Sequence, residues 1–289
     1  MSPSSAVGSV KLAILVLLGA CKFSPLVERD ASAVRDSPDD SAFDAEPDAG
    51  LCAPTGSPTG TSTQTVDVLG TSRTFLQVVP ATYDPERRYP LIYAAPPFES
   101  AAMARTRYGL DARFAENAIV VYPEKLVTTQ AWDVSLTSPN YQLFDAIQAA
   151  VRSNYCIGKT YTFGYSDAGY YANALGCYRG GDDLVGVIAA NASFAGLSTN
   201  CIEPAVSAAI LHAVDNPTVL FSNGEAARDL WKQKASCGVT SPGVPGIPAC
   251  FSYEQCDSSL KVLWCPLNSG GHAYPAETVS AAAYLMGLP

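Results

Sequence analysis

Three residues of this chain have the types and the order to run nucleophilic catalysis: Ser166, Asp215 and His272. Ser166 sits in Gly164-Tyr165-Ser166-Asp167-Ala168-Gly169, directly after the apolar, β-prone run Tyr161-Thr162-Phe163. A serine on a sharp strand-to-helix turn projects its hydroxyl above the sheet edge, and side chains two residues either side would collide there. Gly164 meets that demand; Ala168 carries a methyl that has to be accommodated. An ordinary tight turn with an exposed serine is the competing reading of the same residues.

A serine hydroxyl needs a base, and the chain offers two histidines, His212 and His272. His272 lies in the glycine-rich loop Ser269-Gly270-Gly271-His272, suited to delivering an imidazole to a sheet edge. His212 ends the apolar run Ala208-Ala209-Ile210-Leu211 and reads as a structural residue at a strand end. Asp215 follows it in a turn, where a carboxylate that orients the base belongs; Asp257 is the rival acid. The order serine, acid, histidine is that of α/β-hydrolases and not of the chymotrypsin or subtilisin types. The amide of Asp167, next after the nucleophile, is the expected first donor to a developing oxyanion.

The elements around these residues alternate. Apolar runs at Leu91–Ala95, Ala118–Tyr122, Thr160–Phe163, Leu184–Ala190, Ala208–His212 and Lys261–Trp264 read as strands. Tyr141–Ser153 and Gly224–Gln233 read as helices, with a third expected after Ser166. Strands alternating with helices predict an α/β fold, a mostly parallel central sheet flanked by helices on both faces. About 230 residues suffice for one such domain, taken as residues 61–289.

From Arg73 onward the chain resembles the secreted polyhydroxybutyrate depolymerase and feruloyl esterase-like group of α/β-hydrolases. The resemblance is carried by Arg73-Thr74-Phe75-Leu76, Tyr89-Pro90-Leu91-Ile92-Tyr93, Ile119-Val120-Val121-Tyr122-Pro123 with Trp132, the Ser166 turn, Asn223-Gly224-Glu225, and Val262-Leu263-Trp264 leading to Gly270-Gly271-His272. It implies an ester hydrolase acting on hydroxycinnamoyl, acetyl or hydroxyalkanoate esters, small or polymeric, with no cofactor. It also implies nucleophile, acid and base at Ser166, Asp215 and His272. A catalytically degenerate member acting as a binding module is the alternative.

Two stretches depart from that group's pattern. Where it has His-Gly and a glycine-rich loop after the first core strand, this chain has Ala94-Ala95-Pro96-Pro97-Phe98-Glu99-Ser100. Prolines carry no N–H, so the second oxyanion amide falls to Phe98 or Glu99, and Phe98 is taken as the donor. The acid segment His212-Ala213-Val214-Asp215 is one residue shorter than the usual His-Gly-x-x-Asp.

The N-terminus addresses location. Lys11 precedes the short apolar run Leu12–Leu18, and Leu18-Gly19-Ala20-Cys21 resembles a bacterial lipobox. The expectation is a signal peptide over 1–20, lipidation at Cys21, and an exported envelope or extracellular protein that meets the membrane only through its anchor. The alternative is an ordinary signal cleaved near Ala20. Lys22–Gly50 holds eight acidic and three basic residues among alanine and serine, and Pro54–Thr63 is small and polar, so 21–60 read as an acidic tether and linker.

The remaining eight cysteines, Cys52, Cys156, Cys177, Cys201, Cys237, Cys250, Cys256 and Cys265, are an even set suited to disulfides in an exported protein. No Cys-x-x-Cys pair accompanies the two histidines, which argues against zinc. With a formal charge of −9 and no basic run, the composition argues against nucleic acid as a partner.

Overall fold

The computed structural model describes residues 58–181, 183–197 and 201–288. Cys21, the signal segment, the acidic tether and Cys52 lie outside the described residues. The strands are β1 (Gly60–Val68), β2 (Thr71–Val79), β3 (Tyr89–Ala94), β4 (Ile119–Pro123), β5 (Ile157–Tyr165), β6 (Leu184–Ala190), β7 (Ser207–Ala213), β8 (Gly243–Val244), β9 (Ile247–Ser252) and β10 (Val262–Leu267). The helices are α1 (Ala101–Tyr108), α2 (Leu110–Phe114), α3 (Pro139–Asn154), α4 (Asp167–Arg179), α5 (Phe221–Lys234) and α6 (Glu277–Met286).

These strands form one sheet in the order β1-β2-β4-β3-β5-β6-β7-β10-β9-β8. The central six, β4 through β10, run parallel; β1 and β2 on one side and β9 and β8 on the other pair antiparallel. The six apolar runs expected as strands are those central six. They read as continuous apolar runs because both of their faces are covered. Along β3, Leu91 and Tyr93 enter one core while Ile92 and Ala94 enter the other, following the two-residue alternation of a strand.

Helices α3, α4 and α5 cover the first face, contributing Phe144, Ile147, Tyr171, Leu175 and Trp231. Helices α1, α2 and α6 cover the second with Tyr108, Phe114 and Leu285. Capping marks where they begin: Ser138 Oγ accepts from Asn140 N ahead of Pro139, and Ser100 Oγ accepts from Met103 N at α1. Gly109 closes α1 in the left-handed conformation.

One expectation is corrected. Gly60–Thr63, read as the end of a polar linker, open strand β1, which pairs with β2 along its whole length. Its threonines are β-branched, and only alternate side chains are partly covered, so the strand shows no apolar run. The short strands β8 and β9 were also not legible, since they form a hairpin at the opposite edge.

Disulfides join Cys177 to Cys201, Cys237 to Cys256 and Cys250 to Cys265 among the described residues, and Cys156 is disulfide-bonded as well. No helix of the described residues is long and apolar enough to cross a membrane.

Candidate active site

Ser166 stands between the end of β5 and the first residue of α4, at φ 59° and ψ −126°. A residue with a β-carbon pays for that conformation, and such strain is held only where the surroundings over-determine it. They do so here. Ser166 N donates to Ala190 O (2.9 Å), and Tyr170 N donates to Ser166 O (3.1 Å). A Cβ at Gly164 would fall on the carbonyl of Ala168, and one at Gly169 would lie 2.7 Å from Ala192 Cβ. Both positions require glycine. Ala168 does not, because its methyl points into the core between sheet and helices.

The sheet topology brings His272 to the same edge. β10 lies two strands from β6, and the loop that follows it carries Gly270 and Gly271 at positive φ. Tyr165 Oη donates to His272 O, and Asn191 Nδ2 donates to Ala273 O (2.8 Å). Asn191 also accepts from Ala213 N (2.8 Å), so one buried amide at the end of β6 ties the base loop to the end of β7. His272 Nε2 thereby comes to 2.8 Å from Ser166 Oγ. Burial pushes the imidazole below the usual histidine range, which keeps it neutral and able to take a proton.

The third position is occupied by Asn216. Its Oδ1 accepts from His272 Nδ1 at 3.2 Å and from the amides of Thr218 and Val219, each at 3.0 Å. Asp215, expected to face the imidazole, is exposed and accepts instead from Gly271 N (2.8 Å), outside the ring. Neighbouring residues in the turn after β7 point opposite ways, so only one of the two reaches the base. A signal for this was present: counted from His212, the His-Gly-x-x-Asp spacing lands on residue 216. Asn191 had no comparable signal beyond being a polar residue at the end of an apolar run.

His212 is fully buried and its Nε2 donates to Val219 O (2.9 Å), holding the turn that presents Asn216. Burial lowers its pKa, so it acts as a neutral strut. Asp257 opens a short 3-10 turn ahead of β10, whereas the site lies past that strand's other end.

Two amides remain for an oxyanion. Asp167 N opens helix α4, where backbone donors and the helix dipole favour negative charge. In the loop after β3, Pro96 and Pro97 have no N–H, and Glu99 N donates to Pro97 O (2.8 Å), which leaves the amide of Phe98. The Phe98 side chain is exposed and lines a cleft of about 360 Å³ with Glu99, Arg107, Thr218, Ser166 and His272. Glu99 is buried and held by a bidentate pair with Arg107 (2.9 and 2.8 Å).

No family model matches the chain, and no curated protein matches it. Solved structures do resemble it. An acetyl xylan esterase from Aspergillus awamori superposes with a TM-score of 0.62 at 13% identity, covering 78% of this chain and 99% of that one. A ferulic acid esterase from Anaeromyces mucronatus, in complex with ferulic acid, gives 0.54 at 14% identity over 81% and 92% of the two chains. An α/β serine hydrolase homologue from Coxiella burnetii gives 0.53 at 10% identity over 81% and 100%. Together with the parallel sheet, the helices on both faces and the strained serine turn, these likenesses show that the chain has the α/β-hydrolase fold.

Proposed function

We propose that this protein is an exported serine hydrolase that cleaves carboxylic esters through an acyl-serine intermediate. The observation that carries the reading is Ser166 Oγ at 2.8 Å from His272 Nε2, on a turn strained to present that hydroxyl. Ser166 attacks the ester carbonyl as His272 takes its proton; the carbonyl oxygen becomes an oxyanion facing the amides of Asp167 and Phe98. The imidazolium then protonates the leaving alcohol. Water, deprotonated by His272, hydrolyses the acyl-serine and returns the enzyme. Asn216 holds the tautomer in which Nδ1 carries the proton and Nε2 accepts, the part first expected of Asp215.

The neighbours' names favour acetyl and hydroxycinnamoyl esters as substrates, and the sequence resemblance adds hydroxyalkanoate esters. The open cleft, with its exposed phenyl ring, supports an acyl group that is partly apolar. The disulfides support an oxidising compartment. The lipobox-like Leu18-Gly19-Ala20-Cys21 supports anchoring through Cys21, with the acidic stretch after it as tether and a catalytic domain that begins with β1 at Gly60. Fatty-acid labelling of the wild type, absent in Cys21→Ser, tests the anchor.

The test of the chemistry is a fluorophosphonate adduct mapped to Ser166 together with turnover of p-nitrophenyl acetate, both absent in Ser166→Ala. An anilide analogue separates esterase from peptidase. A second reading, a degenerate member serving as a binding module, is favoured by the proline-rich oxyanion loop and by an amide in place of the orienting carboxylate. An inert wild type with no adduct selects it.

A further inference from the structure

The residue that supplies the first oxyanion amide, Asp167, also carries a carboxylate, and that carboxylate is nearly buried. An unpaired negative charge there would repel the oxyanion that the same residue's amide is meant to stabilise. Lys125, in the loop after β4, meets it: Nζ lies 2.6 Å from Asp167 Oδ2, with both side chains almost fully covered. The same ammonium stands 4.6 Å from the centre of the Phe98 ring and donates to Gln130 O (2.8 Å). Trp132, seven residues on, completes the connection. Its indole N–H donates to Pro96 O (2.7 Å), its backbone N–H to Asp167 Oδ2 (3.3 Å), and its ring stacks on Tyr171 of α4 at 4.5 Å.

Resting on the esterase reading, we propose that Lys125 is the positioning residue of the oxyanion hole: it neutralises Asp167 beside the developing charge and, with Trp132, clasps the proline-rich loop of Phe98 onto the start of α4. A glycine-rich loop aims its amide through its own backbone freedom. Here two prolines remove donors from the loop, and the aim comes from outside it, through a cation on the Phe98 ring and a hydrogen bond to the Pro96 carbonyl. Burial lowers the lysine's pKa and raises that of Asp167, and each charge offsets part of that effect on the other.

The experiment is a double-mutant cycle on the full chain with p-nitrophenyl acetate, following kcat and KM separately, with thermal unfolding to verify folding of each variant. Lys125→Met leaves the Asp167 charge uncompensated, and kcat falls about 10²-fold, the size of losing one oxyanion donor, while KM changes little. Lys125→Met combined with Asp167→Asn removes both charges, restores folding if the single variant lost it, and recovers at least about tenfold of the lost kcat. Trp132→Phe, which frees Pro96 but keeps the ring, lowers kcat in the same direction. An active wild type whose kcat is unmoved by Lys125→Met, or a folded double variant no better than the single, overturns the inference alone. An inert wild type with no adduct on Ser166 overturns the esterase reading and this inference with it.

Discussion

Asn216 Oδ1 accepts a hydrogen bond from Nδ1 of His272 at 3.2 Å, in the place where a serine hydrolase ordinarily sets a carboxylate. An amide oxygen fixes the imidazole tautomer as a carboxylate does, but it brings no charge to stabilise the imidazolium. Its Nδ2 is buried without a partner among the described residues, so the amide hydrogens do no work that a carboxylate oxygen would forfeit. The three donors around Oδ1 are already arranged for an anion.

Asn216→Asp is therefore expected to raise kcat by tenfold or more, a part of the roughly 10⁴-fold that separates aspartate from asparagine in an efficient triad. Asn216→Ala should lower it, and Asp215→Asn should cost about tenfold or less, because it disturbs only the Gly271 amide. Steady-state kinetics on p-nitrophenyl acetate decide. A loss near 10⁴-fold in Asp215→Asn would return the orienting role to Asp215.

The pH profile follows from the same pair. In the proposed mechanism His272 takes a proton only when it is neutral, and burial holds its pKa below the usual 6.5. Turnover should thus be full at neutral pH and decline through an acid limb centred below 6.5. In Asn216→Asp the new carboxylate favours the cation, so the limb must move to higher pH. A pH series of kcat/KM on both proteins checks the sign. A limb that moved downward would contradict the geometry at Nδ1.

Gly164→Ala tests the turn. The added methyl meets the Ala168 carbonyl, a backbone atom that cannot yield without displacing α4. Stability should drop by about 1–3 kcal/mol, and labelling of Ser166 by a fluorophosphonate should be lost even in the folded fraction. Ala168→Gly should leave labelling intact, since that methyl sits in the core and not in the cleft.

The Cys250–Cys265 bridge joins β9 to β10 just before the loop that delivers His272. Removing it by Cys250→Ala with Cys265→Ala should cost up to about 3 kcal/mol, the loop-closure value for a bridge of this span. Activity at temperatures near the lowered Tm should fall in parallel. Thermal unfolding followed beside turnover checks both.

How much of this was legible before folding depends on the range of the interaction that sets each feature. The six central strands stood out because a strand buried on two faces must be apolar throughout, as in Leu184–Ala190. The serine turn was legible for a steric reason confined to six residues, Gly164 to Gly169. His272 was reached because only two histidines were available and one glycine loop carried one of them. Strand β1 was hidden, since an edge strand with exposed threonines alternating with half-covered Ser62, Gln64 and Val66 has no pattern that separates it from a linker. The choice between Asp215 and Asn216 was hidden more deeply. Both lie in one turn, one bond apart along the chain, and composition favours the acid. Which of them faces the imidazole depends on the backbone path from β7, on His212 holding Val219, and on the amides of Thr218 and Val219 drawing one side chain inward. The Lys125–Asp167 pair belongs to the same class: 42 residues apart, it exists only because the loop after β4 and the start of α4 meet at one edge of the sheet. Local sterics and burial are written along the chain, whereas the partner of a polar side chain is settled by packing between distant segments.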